Sequence, residues 1–188
     1  DLRAKDLINK FTIQENKRLK NIVDDYLVKS DAIFAKVLSD KGSPFLKSII
    51  INKGSKHDIS LGMVAVDKEY LVGKVVEVNY LSSRVLLLSD LNSKIPVIVE
   101  PNEVFSILSG TGKDYGVIQY SKKYEDIKNE SIIYTSGVGS LFKAGIPIGR
   151  MDNNDLSEEK KVNFFSDFSQ LRFVKILSYS KNEVEWQS

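Results

Sequence analysis

INKGSKHDISLGMVAV at Ile51–Val66, followed by YLVGKVVEV at Tyr70–Val78, decides the fold class. Around it lie short β-branched runs, Ser48–Ile51, Val75–Val78, Val85–Leu88 and Ile95–Val99, each bounded by Gly, Asn, Ser, Asp or Pro as short strands are. In Tyr70–Asn79, Val76 and Val78 alternate with Glu77 and Asn79, a period of two that predicts one buried and one solvated face. Gly54, Gly62, Gly73, Gly110 and Gly116 fall between or inside these runs, where turns, bulges or close backbone approach are expected. The architecture expected from such evenly spaced short strands is a set of small barrels.

A second series runs through Ser106–Ser109, Val117–Tyr120 and Ile132–Tyr134 into the glycine-rich YTSGVGSLFKAGIPIGRM at Tyr134–Met151. Pro96 and Pro101 read as breaks, and the Pro101 region as a connection between domains. Ser166–Leu171 is expected to form one helical turn before a last strand over Arg172–Ser178. The predicted organisation is a helix over 1–34, a first barrel over 35–100 completed by a C-terminal strand within 171–180, and a second barrel over 101–170.

Residues 1–34 differ in kind, with no Gly or Pro and with Leu19, Ile22, Val23 and Tyr26 at helical spacing. Placing Leu19 and Tyr26 at d positions puts Asn16 and Val23 at a, and a polar Asn there sets register in coiled coils. Ile8 and Phe11 belong to a different stripe, so the seam is short. Two outcomes fit, a helix packed on its own barrel or one paired with a second chain through Leu19, Ile22, Val23 and Tyr26.

The chain has 188 residues, 42% of them hydrophobic, enough for two small cores. Its formal charge of +2 gives no support to nucleic-acid binding by bulk charge. Without cysteine it has neither a disulfide framework nor a thiolate metal site. No apolar run approaches the roughly 18 residues of a spanning helix. Because the sequence starts at Asp1 rather than Met, any membrane anchor is expected upstream of it.

Fragments with a catalytic look fail on spacing. Gly110-Thr111-Gly112-Lys113 resembles part of a P-loop, but Ile107 stands where Gly is required and Asp114 where Ser or Thr is. Gly137-Val138-Gly139 lacks the third glycine and the βαβ setting of a dinucleotide site. His57, the one histidine, with Asp90 and Ser136 or Ser140, supplies the residue types of a serine-protease triad, yet neither serine sits in Gly-x-Ser-x-Gly. Asp152, Asn153 and Asp155 lack the glycine and distal Glu of a calcium loop. Lys122-Lys123-Tyr124 is too small a cluster for an oligonucleotide barrel. The reading is therefore no catalytic residue, no metal and no cofactor, with binding or scaffolding as the function class.

Ile51–Gly54 (INKG), Gly62-Met63, Leu71–Val75 (LVGKV), Ser83–Asp90, Thr135-Ser136-Gly137, Gly139–Phe142 and Gly145–Gly149, in that order and spacing, resemble the MreC family of bacterial rod shape-determining proteins. Asn129-Glu130 and Lys143-Ala144-Gly145 depart from the family pattern, both at turns. The resemblance implies a non-enzymatic periplasmic scaffold, anchored by a single upstream span in the bacterial inner membrane, with two small barrels similar to chymotrypsin-like folds without their catalysis. It also implies self-association as a homodimer or filament, and contacts with MreD, a class B penicillin-binding transpeptidase and the MreB cytoskeletal system, organising peptidoglycan synthesis. The alternative carried beside it is a serine-protease-like β-barrel hydrolase. On the second barrel, Thr135, Ser136, Gly137 and Phe142 are expected to form a partner or assembly surface, with Phe142 either an exposed anchor or a plug of the barrel.

Overall fold

The structure, a computed structural model, describes residues 5–6, 8–17, 32–38, 47–119, 127–128, 130–138, 142–152 and 159–178. The chain divides into two units, residues 32–178 and residues 1–31 with 179–188. In the smaller unit residues 8–17 are helical, Lys10 pairs with Asp6 one turn earlier at 3.0 Å, and Ile8, Phe11 and Ile13 are exposed. Leu19, Ile22, Val23 and Tyr26, the predicted pairing stripe, lie outside the described residues.

The larger unit holds twelve described strands: β1 Ala32–Leu38, β2 Ser48–Ile51, β3 Val64–Asp67, β4 Tyr70–Val78, β5 Ser83–Leu87, β6 Lys94–Glu100, β7 Val104–Gly110, β8 Tyr115–Gln119, β9 Ile132–Thr135, β10 Pro147–Met151, β11 Lys161–Phe164 and β12 Phe173–Leu177. They close into two antiparallel six-stranded barrels, β1-β12-β3-β4-β5-β2 and β10-β11-β8-β7-β6-β9. Closure leaves neither sheet with an open edge. A 3-10 turn at Phe168–Gln170, capped by the Asp167 side chain accepting from Ser169 N, leads into β12.

In β6 the alternation of LysIleProValIleValGlu sends Ile95, Val97 and Val99 inward. The first core gathers Ala35, Ile49, Ile51, Ala65, Val72, Val75, Val85, Leu87, Val174 and Ile176. Its closing strand comes from the far end of the chain, with Ala35 opposite Val174 and Ile176 opposite Ala65.

Three expectations are corrected. The helical segment cannot reach residue 34, because Ala32-Ile33-Phe34 are already laddered to β12. The boundary between barrels falls before β6 rather than at 100/101: residues 101–103 are only the hairpin turn that sets Val99 opposite Val104. The phase of β4 also differs, since a bulge between Val75 and Glu77 inserts an extra residue, leaving Val75 in the core and Val76 exposed.

Between the barrels, β10 lies against β4, and the Tyr70 ring meets Phe165 with centroids 5.0 Å apart. Val64, Val66, Leu71 and Leu86 are buried although they lie outside the first interior cluster, so the first barrel also buries part of its outer wall. The connecting residues 88–93 are tied to both barrels: Leu88 N donates to Val72 O at 3.0 Å, while Gly110 N and Gly112 N donate to Ser93 O and Ser89 O at 3.0 and 2.7 Å.

Candidate functional site

Between β9 and β10, the described residues 136–138 and 142–146 are tied to the end of β9. Thr135 is fully buried, and its hydroxyl donates to the Lys143 carbonyl while accepting from Ile146 N at 2.9 Å. Thr135 N donates to Ile146 O at 3.0 Å and Gly145 N to Thr135 O at 2.9 Å, so one threonine staples both sides of the connection. Ser136 Oγ accepts from Val138 N at 3.3 Å, and Gly137, at φ +72°, lies against Ala144. Burial pushes the Lys143 ammonium below the usual lysine range.

The four residues predicted as a surface therefore separate. Phe142 is 5% exposed and Thr135 is a buried staple, so neither is a surface residue of this unit. Of the two readings of Phe142, exposed anchor or buried side chain, its burial agrees with the second. Ser136 and Gly137 stay half-exposed, and among the described residues of the loop Val138 is the large apolar side chain that is exposed.

A larger apolar surface lies on the outer wall of the same barrel. Strand register places Phe105 opposite Ile98, Ile98 opposite Tyr134 and Tyr134 opposite Pro147, a row across β7, β6, β9 and β10. Phe105 is 59% exposed and the others half-buried. Beside the row a shallow cavity of about 350 Å³ is lined by Glu100, Pro101, Lys128, Glu130, Ser131, Ile132 and Tyr134. Its outward-facing residues occupy alternate positions of each strand, a signal visible in sequence only once the register is known.

The hydrogen bonds of the residue types that suggest a triad go elsewhere. His57 Nδ1 accepts from Gly54 N at 3.4 Å, Asp90 accepts from Lys47 N, Asn92 N and Asn92 Nδ2 at 2.8, 2.7 and 3.0 Å, and Ser136 from Val138 N. None of these bonds joins two members of the set. Ser140, Asn153, Asp155 and Lys122–Tyr124 lie outside the described residues. Among the described residues no cluster of metal-ligating side chains occurs, and no helix is long and apolar enough to cross a membrane.

Residues 37–178 match the family model described as rod shape-determining protein MreC, barrel core. A relative, the cell shape-determining protein MreC of Cereibacter sphaeroides, is 30% identical over 165 residues, covering 87% of this chain and 55% of that protein. The chain thus spans about half the length of the curated relatives it matches. Among solved structures, MreC of Listeria monocytogenes superposes with a TM-score of 0.74 at 27% identity, covering 90% of this chain and 87% of that one. MreC of Pseudomonas aeruginosa gives 0.71 at 28%, covering 79% and 99%. Two more distant structures share the fold: the major periplasmic domain of the cell shape-determining filament MreC, with a TM-score of 0.68 at 21% identity and covering 79% and 96%, and MreC of Helicobacter pylori in complex with the penicillin-binding protein PBP2, at 0.61 and 16%, covering 80% and 100%.

Proposed function

Because this chain belongs to the MreC family of rod shape-determining proteins, we propose that it serves as a non-enzymatic periplasmic scaffold that self-associates and organises the peptidoglycan elongation machinery. The observation that carries this reading is the match of both barrels, residues 37–178, to the family's barrel core. Its anchor is a single inner-membrane span upstream of this chain. Its partners are a class B penicillin-binding transpeptidase, MreD and the MreB cytoskeletal system. The complex formed by the Helicobacter pylori relative supports the first of these, and the filament relative supports self-association.

On this reading the apolar row Phe105–Ile98–Tyr134–Pro147 is the face offered to the transpeptidase. Aromatic residues at the centre of a protein–protein contact carry a large share of its energy. The predicted stripe Leu19, Ile22, Val23 and Tyr26 serves pairing between chains.

Two measurements test it. Binding of the chain to a purified elongation transpeptidase, followed by interferometry, is expected to be saturable and to be lost with Phe105→Asp; absence of binding overturns the partner assignment. Sedimentation over a concentration range is expected to show assembly that Val23→Asp with Tyr26→Asp abolishes. A strict monomer at all concentrations overturns self-association.

A further inference from the structure

Four of the ten exposed large apolar side chains described in residues 32–178 crowd one end of the first barrel: Leu61, Val76, Tyr80 and Leu81. Leu61, Tyr80 and Leu81 are 67, 65 and 56% exposed. Leu61 comes from the connection of residues 52–63 leading into β3, Tyr80 and Leu81 from the β4–β5 hairpin turn at 79–82, and Val76 from the end of β4 beside them.

Backbone bonds stitch these connections into one tip. Ser55 N donates to Asn79 O at 2.9 Å, Lys56 N to Tyr80 O at 3.1 Å, Gly62 N to Val75 O at 2.8 Å, and Asn79 N to Ser82 O at 2.8 Å. Gly54 backs directly onto the turn, where any Cβ would fall on the Asn79 carbonyl oxygen. The exposed side chains thus stand on a hydrogen-bonded support, and little ordering remains to be lost on binding.

With Glu77 paired to Arg84, two lysines face one aspartate around this tip. Lys56 lies over the Tyr80 ring with Nζ 5.9 Å from its centroid, and Lys53 precedes it in the same connection. Glu77 is held by Arg84 Nε at 3.1 Å, and Asp58 is the other acid; His57 turns its Nδ1 back toward Gly54 N.

We infer that this tip docks on an anionic phospholipid surface. An exposed tip carrying two leucines, a tyrosine and lysines suits a lipid interface: leucine enters the acyl boundary, tyrosine sits at headgroup depth, and lysine meets phosphate. No part of this inference depends on the partner row of the second barrel, which lies on other strands.

The test is co-sedimentation of the 188-residue chain with vesicles of phosphatidylcholine, with and without phosphatidylglycerol, beside a lipid-free control. Binding is expected on the mixed vesicles, to fall at least tenfold with Leu61→Glu plus Leu81→Glu, and to fall about fivefold for each of Lys53→Gln and Lys56→Gln. Raised salt is expected to weaken it. Because all four positions are on the surface, circular dichroism and the melting temperature should match wild type, which separates lost binding from lost fold. Failure to bind mixed vesicles overturns the inference. So does binding that the leucine double variant retains, which assigns it to the exposed Ile8 and Phe11 of the helix, and so does pelleting without lipid that the same variant abolishes, which assigns the tip to a second copy of the chain.

Discussion

The backbone N–H of Lys47 donates to the Asp90 carboxylate at 2.8 Å, joining the start of β2 to the segment that links the barrels, 43 residues apart in sequence. Asp90 is 1% exposed, and its other oxygen accepts from Asn92 N and Nδ2. A buried carboxylate is tolerated here because three donors converge on it, and its removal strands them. Asp90→Ala is expected to cost about 3 kcal/mol, and Asp90→Asn about 1–2 kcal/mol because one acceptor survives. Urea denaturation checks both; a loss below about 0.5 kcal/mol for Asp90→Ala would show that the carboxylate ties nothing.

Phe142→Ala is expected to destabilise the chain by about 3–5 kcal/mol through the cavity left where the buried ring was. Thr135→Val keeps the shape but leaves Ile146 N and the Lys143 carbonyl without the threonine hydroxyl, at about 1–3 kcal/mol. Val138→Glu, on the exposed part of the same loop, should leave stability within about 0.5 kcal/mol of wild type. Calorimetry of the three variants separates staple and buried ring from surface, and near-native melting of Phe142→Ala would contradict its burial.

Phe105→Asp changes an exposed side chain in a row whose neighbours are Ile98 and Tyr134, so folding should be indifferent to it. Under the scaffold reading, its affinity for a transpeptidase partner should fall at least tenfold, as loss of a central aromatic contact does. Equal affinity for both forms would move the partner surface elsewhere.

How much of this was legible in sequence depended on whether the relevant physics was local. The strand at Ile95–Val99 was readable because alternation is a property of neighbouring residues, and the late strand near Phe173 because β-branched and aromatic residues return there. Three things were not local. The bulge after Val75 reversed the inward face of Val76 and is fixed by pairing with β5. The barrel boundary was drawn at Pro101 because proline marks a break, yet here it only begins a hairpin turn. Phe142 reads equally well as anchor or core, and Thr135 as a surface residue, and only their burial and the bonds between Thr135 and residues 143–146 assign them inward. The Phe105–Pro147 row is not a local pattern, because its members lie on four strands.

Hydrogen bonds from the Ser169 hydroxyl and N–H hold the Asp167 carboxyl below the usual carboxylate range, and the Arg84 guanidinium, followed by the Asn79 amide, does the same for Glu77. A carboxyl with a depressed folded-state pKa contributes stability that is present above its unfolded value and lost as pH falls through the folded one. Both groups are exposed, so the contribution is small. It should disappear below about pH 4, the unperturbed range for these side chains. Thermal unfolding between neutral pH and about pH 3 should therefore fall less steeply for Asp167→Asn with Glu77→Gln than for wild type. Parallel curves would remove these two carboxyls from the acid response.

Gly110 and Gly62 predict opposite outcomes for one substitution. Gly110 ends β7 where a Cβ would fall on the carbonyl oxygens of Asp90 and Leu88, backbone atoms of the inter-barrel link that cannot rotate away. Gly62 has open space around it but a φ of +83°, so alanine there meets only backbone strain. Gly62→Ala should cost about 1 kcal/mol, the left-handed penalty for an L residue. Gly110→Ala must also push the link off β7, breaking the bonds from Gly110 N and Gly112 N, and is expected to cost about 4 kcal/mol or more. The two variants, compared by denaturation midpoint, measure how tightly the second barrel grips the link. A Gly110→Ala protein no less stable than Gly62→Ala would mean that the link shifts freely and that the barrels are not fixed through it.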